Sequence, residues 1–397
     1  MIKKFSLVSA SAILVFSNVV YGMDNKVQLK GLLEFQSIYY TNNGTSSQRK
    51  VSTYKKNFGF YSSGNVLIDY MLITDNNVKY GYKIGLAITT DNNRMEPFSL
   101  YTETNLGKFE AGSDKSAAQK MKITGYNSSC AVGNGWDAKV KTAPNSMIGY
   151  ITNFASFLDT KMRTSGKVEY SRKVTYFTPK ININDYNSMQ FGISYIPDSS
   201  NMGNGDISDD ERHTPVAGSQ FAFIIKDGIS YGLSYNGKLA EKSNLNIAFV
   251  GETGKAVGFD KNTGKKSDVK FKNLNSYTIG TEFIYDNCAI SGSFGNYNKS
   301  LTAVDVDLIS KKTYIYAAGA KYMWNPYAAS LSHFYSNYKK NKLNATTLGV
   351  DYNISSGVKS YIQATYYQVK GRYMNGVALK FDNSHGFLCL IGGKVSL

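Results

Sequence analysis

Cysteine is scarce in this chain, with 3 in 397 residues, Cys130, Cys288 and Cys389. An odd number at wide spacing excludes a disulfide framework and the paired spacing of a zinc site. Cys288 and Cys389 fall in strand-like runs and read as small apolar wall residues, whereas Cys130 sits in a long loop. Histidine is equally sparse: His213, His333 and His385 have no nucleophile motif such as Gly-x-Ser-x-Gly beside them. The acids Asp206, Asp209, Asp210 and Glu211 lack the spacing of a calcium loop and read as a solvated tip. The residues therefore speak against an enzyme, and they call for no cofactor and no metal. Long apolar runs are missing as well. Beyond the amino terminus no segment is long and apolar enough for a membrane-spanning helix, so a membrane protein built from this chain has to be a closed barrel.

Aromatic residues are what the chain has in plenty, with 31 Tyr and 21 Phe making up most of an aromatic content of 14%. Tyr joins an apolar ring to a polar tip and suits a surface that meets both hydrocarbon and water. A secreted β-sandwich would be Tyr-rich too, and a mean hydropathy of -0.30 fits either. Lys3 and Lys4 form a basic start, Phe5 to Val20 is apolar, and Gly22 supplies a small residue before a cut, so residues 1–22 read as a secretory signal peptide and 23–397 as the mature domain. The formal net charge is +16. Nucleic acid is a poor partner for an exported chain without a recognition motif, which leaves anionic lipid head groups, such as lipopolysaccharide phosphates, or anionic solutes.

From Val27 onward the pattern is alternation. Val27, Leu29, Leu33 and Phe35 share one face, and Gln28, Lys30, Glu34 and Gln36 the other. Similar runs predict strands at about 27–40, 58–73, 78–90, 97–105, 107–113, 168–180, 187–196, 228–238, 245–256, 275–285, 288–298, 313–323, 328–338, 344–354, 358–370 and 386–397, sixteen in all. The second face is repeatedly Gly, Ser, Ala and Asn, as in a wall lining a filled or watery interior. Connections sort by parity. Links after even-numbered strands are short, among them Ile181 to Tyr186, and those after most odd-numbered strands are long; Asp91 to Glu96 and Lys339 to Leu343 are moderate exceptions. A sandwich has no reason to sort its links this way. An outer-membrane barrel does, with short periplasmic turns and long outer loops. Ala217 to Ile225 resembles a further strand that would break the parity, and it is assigned to the fourth long loop as a hairpin or lid.

The longest gap, Asp114 to Lys167, follows Leu106-Gly107-Lys108-Phe109-Glu110-Ala111-Gly112-Ser113-Asp114. That run resembles the strand before the constriction loop of general, trimeric-type porins of Gram-negative outer membranes. Val174-Thr175-Tyr176-Phe177-Thr178-Pro179 and the following Phe191 to Asp198 are similar to the family's sixth and seventh strands, and Leu348 to Tyr352 with Ser360 to Tyr367 to its penultimate pair. Two features depart from the family. The chain ends Lys394-Val395-Ser396-Leu397 without the usual terminal aromatic residue, and the long loop lacks a Pro-Glu-Phe-Gly-Gly run.

The resemblance implies an all-β transmembrane antiparallel barrel of about sixteen strands with its third loop folded into the lumen. It also implies a homotrimer and a water-filled channel for passive diffusion of ions and small hydrophilic solutes. In the constriction loop (114–167), Asp114, Asp137 and Asp159 supply carboxylates and Lys139, Lys141, Lys161 and Arg163 bases. By the alternation Lys30, Glu34, Lys83, Glu103, Glu110 and Lys173 point inward as pore wall. The basic excess predicts a mild preference for anions. The rival reading is a plugged barrel serving as a surface adhesin or structural protein.

Overall fold

The computed structural model describes residues 24–43, 58–89, 93–133, 171–199, 214–215, 221–260, 266, 268, 270–300, 313–338, 341–371 and 382–396. In chain order the elements are β1 (Asp24–Asn43), β2 (Phe58–Ile73), β3 (Lys79–Thr89), β4 (Asn93–Thr104), β5 (Gly107–Ser113), α1 (Ala117–Met121), β6 (Lys173–Phe177), β7 (Ile181–Asn184) and β8 (Asn187–Asp198). There follow β9 (Thr214–Pro215), β10 (Phe221–Ala240), β11 (Ser243–Asp260), β12 (Leu274–Tyr285), β13 (Cys288–Asn298), β14 (Thr313–Trp324), β15 (Tyr327–Tyr338), β16 (Asn341–Ser355), β17 (Val358–Gly371) and β18 (Asp382–Ser396).

Neighbouring strands pair antiparallel, and β1 pairs with both β2 and β18, as in Glu34↔Ser63 and Glu34↔Lys394, so the sheet closes on itself. Strands β6 and β7 both lie on β8 and are two halves of one stave, and β9 is a two-residue bridge on β10. The barrel therefore has sixteen staves, the expected number.

The alternation sorts side chains as the sequence implies. On β1, Leu29 is 58% and Leu33 63% exposed on the outer face, whereas Glu34 and Gln36 are buried on the inner one. Outward Leu, Ile, Val and Phe continue around the staves and form the apolar band that a barrel shows to lipid. Aromatic rings gather at both rims of that band. Tyr322, Trp324, Tyr327 and Tyr352 stack in series beside the short turns, and Tyr314, Tyr335 and Tyr316 do so towards the long-loop side.

Three expectations change. Ala217 to Ile225 is not a hairpin or lid: from Phe221 on it is the outward extension of β10, paired residue by residue with β11 from Phe221↔Asp260 to Lys226↔Lys255. One extra residue is then absorbed between Lys226 and Ile229, where Asp227 takes φ 50°. This bulge reverses which residues face inward and makes one strand read as two segments. The link Ile181 to Tyr186 is also mostly strand, because Ile181–Asn184 resumes pairing with β8 after a break. Pro179 has no N–H to give the ladder. Thr178 bridges the break, its N–H donating to the Phe191 carbonyl at 2.9 Å and its hydroxyl oxygen accepting from the Phe191 N–H at 3.1 Å. Third, the inner face is not small and polar throughout. In the outer half of the β13–β18 arc, Ile315, Phe334, Leu343, Tyr367, Leu388 and Leu390 form a buried apolar cluster inside the barrel.

Candidate functional site: the lumen strap and the wall it faces

Chain leaving β5 at Asp114 enters the lumen and runs along the inner wall as a strap to Gly133. Its first turn is α1, whose Ala-Ala-Gln-Lys-Met sequence is rich in good helix formers. Ala117, Ala118 and Met121 pack against Phe177 and Val250. Gly192 and Gly232 leave the space that Met121 fills, since a Cβ built on either would fall within 2.9 Å of its sulfur.

A strap inside a barrel has no strand partner, so its N–H groups need other acceptors. The wall supplies them in order. Ala117 N–H donates to Ser194 Oγ on β8 (2.7 Å) and Ala118 N–H to Ser230 Oγ on β10 (3.0 Å). On β13, Gly125 N–H donates to Ser293 Oγ and Ser128 N–H to Ser291 Oγ, both at 3.1 Å. Cys130 N–H donates to Ser330 Oγ on β15 (2.7 Å), Ala131 N–H to Asp351 Oδ1 on β16 (2.6 Å) and Val132 N–H to Gln363 Oε1 on β17 (3.2 Å). Where the backbones touch, the wall carries glycine: a Cβ on Gly280 would overlap the Ile123 carbonyl, and one on Gly319 the Gly125 carbonyl. The inward Ser and Gly residues are thus a track for the strap. Cys130 is buried at its tip, and burial pushes its thiol pKa up.

The strap covers the arc from β8 to β18 and leaves open the arc from β1 to β5. A cavity of about 510 Å³ lies there, between Lys30, Asp69 and Lys83 of the wall and Asp114, Lys115 and Lys120 of the strap. Charges alternate around its edge. Glu110 pairs with Lys108 at 2.9 Å, with Lys83 at 3.7 Å and with Lys120. Asp114 takes Lys120 at 2.8 Å and Lys83 at 3.9 Å. Tyr101 lies between Lys83 and Lys108, its ring centroid 5.4 and 4.5 Å from their ammonium groups, while its hydroxyl donates to Asp69 Oδ1 at 2.9 Å.

The sequence-selected residues divide. Lys30, Lys83 and Asp114 line the cavity, and Glu110 joins its ion-pair network. Lys173 faces inward but is buried at the neck of the loop, donating to the Asp114 carbonyl and, at 2.6 Å, to the Ser171 carbonyl. Glu103 lies by the short turn and pairs with Lys79 at 2.7 Å. Glu34 belongs to the opposite arc, accepting from the Tyr361 hydroxyl at 2.8 Å with Lys394 at 3.6 Å. Asp137, Lys139, Lys141, Asp159, Lys161 and Arg163 lie outside the described residues. Sequence reasoning missed Lys108, Lys120, Asp69 and Tyr101. Lys108 is in phase with Glu110 and Asp69 with Leu67, so alternation could have found both, whereas nothing local singles out Lys120.

A family profile described as Gram-negative porin matches residues 8–372. Among curated proteins, an uncharacterized protein of Rickettsia bellii is 28% identical over 418 residues, covering 95% of this chain and 94% of its own length. A second, from Rickettsia conorii, is 27% identical with the same coverage. Among solved structures the anion-selective porin of Comamonas acidovorans superposes with a TM-score of 0.57 at 12% identity, over 94% of this chain and 100% of that one. The trimer form of OmpT, an outer membrane protein of Vibrio cholerae, gives 0.54 at 12% identity, over 93% and 99%. At that identity the likeness shows the fold, a closed barrel with the same overall course. Family profile and barrel agree, and the chain belongs to the Gram-negative porins of the outer membrane.

Proposed function

We propose that the protein is a diffusion channel for ions and small hydrophilic solutes, mildly preferring anions, with its open path along β1–β5. The observation that carries this is the cavity edge, where Lys30, Lys83, Lys115 and Lys120 outnumber Asp69 and Asp114. A diffusion pore needs no reacting group, only a wet path whose lining charges set ion preference. The porin fold shared with an anion-selective protein supports the reading. The test is a planar bilayer under a salt gradient: a reversal potential on the anion side is expected, and a cation-side value contradicts it.

The rival reading, a plugged barrel acting as an adhesin or structural protein, draws on the apolar cluster inside the outer half of the lumen. It expects folded protein with no conductance steps. The channel reading also carries removal of residues 1–22 as a signal peptide and assembly as a homotrimer, the latter supported by a fold neighbour with a trimer form. Basic loop residues such as Arg49, Lys50, Lys265 and Lys266 would meet the phosphates of outer-leaflet lipid.

A further inference from the structure

The strap's tip rests on the one place where the barrel joins strands from opposite ends of the chain. Strands β1 and β18 meet along Leu32↔Ser396 to Asn43↔His385. Lys394, three residues from the end of the chain, sits inward on this seam. Its ammonium donates to the Ala131 carbonyl at 2.8 Å, lies 3.6 Å from Glu34 Oε1 on β1, and stands 4.9 Å from the centroid of the Tyr361 ring on β17. Glu34 is held in turn by Tyr361 Oη at 2.8 Å and Gln36 Nε2 at 3.1 Å. One side chain therefore touches the first strand, the penultimate strand and the strap.

The tip itself has a conformation it would not hold alone. Ala131 has φ 55°, in the left-handed region that a residue with a Cβ rarely occupies, and Gly133 has φ 52°. A strained backbone persists where its surroundings over-determine it. Here Asp351 accepts from the Ala131 N–H at 2.6 Å while Lys394 donates to its carbonyl, and Gln363 both accepts from the Val132 N–H and donates to the Gly133 carbonyl, each at 3.2 Å. Asp351 is itself braced by Lys359 at 3.0 Å.

We propose that Lys394 is a positioning residue for the constriction: it fixes residues 131–133 against the β1–β18 seam, so that the strap lies flat on the wall only once the barrel has closed. Because the strap already lies on the wall, a released tip can move only into the lumen, and Lys394 thereby keeps the path along β1–β5 clear.

Cys130, buried beside the clamp, reports on it directly. In a background carrying Cys288→Ser and Cys389→Ala, Cys130 is the sole thiol, and its maleimide labelling rate in the folded, detergent-solubilised protein measures how often the tip leaves the wall. Lys394→Met is expected to raise that rate about tenfold, the factor set by losing one charge-assisted hydrogen bond, while the heat-modifiable gel mobility of the closed barrel stays unchanged. Lys394→Arg, which keeps the charge and the donors, is expected to restore most of the protection. Labelling of Lys394→Met as slow as the parent overturns the proposal. Should Lys394→Met fail to close, Gln363→Leu, which removes two tip contacts and none to β1, decides in the same way: faster labelling upholds the clamp and unchanged labelling overturns it. The readout needs no conductance, so a failure of the channel reading and a failure of the clamp are separately visible.

Discussion

On the arc from β8 to β18 the inward residues at the strap's height are Ser194, Ser230, Ser291, Ser293 and Ser330, each accepting a strap N–H. On the arc from β1 to β5 the inward residues are Lys30, Asp69, Lys83, Lys108 and Glu110, facing a cavity or its ion-pair network. Both arcs obey the same alternation, apolar out and polar in, yet one polar face serves the protein's own backbone and the other faces water. The difference lies in side-chain size and reach. A hydroxyl on a short side chain brings a backbone within 3 Å of the wall, whereas a lysine holds its charge several bonds out, where a solute or a carboxylate can meet it. A polar inner face is therefore not by itself a pore lining.

The largest effect should come from charge on the open arc. A unit charge near a passing ion is worth about 1 kcal/mol in water. Replacing Lys83 and Lys120 together by Gln is therefore expected to lower the anion-to-cation permeability ratio severalfold, read from the reversal potential. Lys321→Gln, inward on β14 in the other arc, is expected to leave the ratio unchanged. Equal shifts from the two would erase the distinction between the arcs.

Next comes the track. Gly319→Val drives a side chain into the Gly125 carbonyl, and overpacking of this kind costs about 1–3 kcal/mol. The expected outcome is a lower temperature for the heat-modifiable gel shift together with faster labelling of Cys130. Ser293→Ala removes one acceptor for a strap N–H and should cost about 1 kcal/mol by the same assay. The smallest effect belongs to Glu103→Gln. Its pair with Lys79 is well exposed at the turn end, so stability should change by no more than about 0.5 kcal/mol and selectivity should not move.

Much of the barrel was legible because its constraints are periodic. Val27 to Gln36 states which face meets lipid, and the parity of link lengths states which end is which, so the stave count and closure followed without any long-range information. Legibility failed where the period slips. Asp227 inserts one residue into β10 and made Phe221–Ile225 look separate, and Pro179 broke one stave into β6 and β7. The site was less legible. Asp114, Lys83 and Glu110 were selected from phase alone, but Lys173 and Glu34 share that phase and serve the loop neck and the seam, because alternation gives direction and not depth or partner. The inward Gly and Ser residues were read as lining an interior. That they dock a strap depends on residues more than sixty positions away, as with Ala117 and Ser194, and no local pattern carries such a contact.

The central claim, that solutes pass along the β1–β5 wall beside the strap, is tested most directly by placing a thiol on that wall. Lys83→Cys, in a chain whose native cysteines are replaced, would be recorded as single channels in a planar bilayer before and after a negatively charged, water-soluble methanethiosulfonate reagent. The account expects stepwise loss of current and a reversal potential displaced towards cations, with neither change when Lys321→Cys is treated in the same way. Complete modification of Lys83→Cys with conductance and reversal potential unaltered would contradict it.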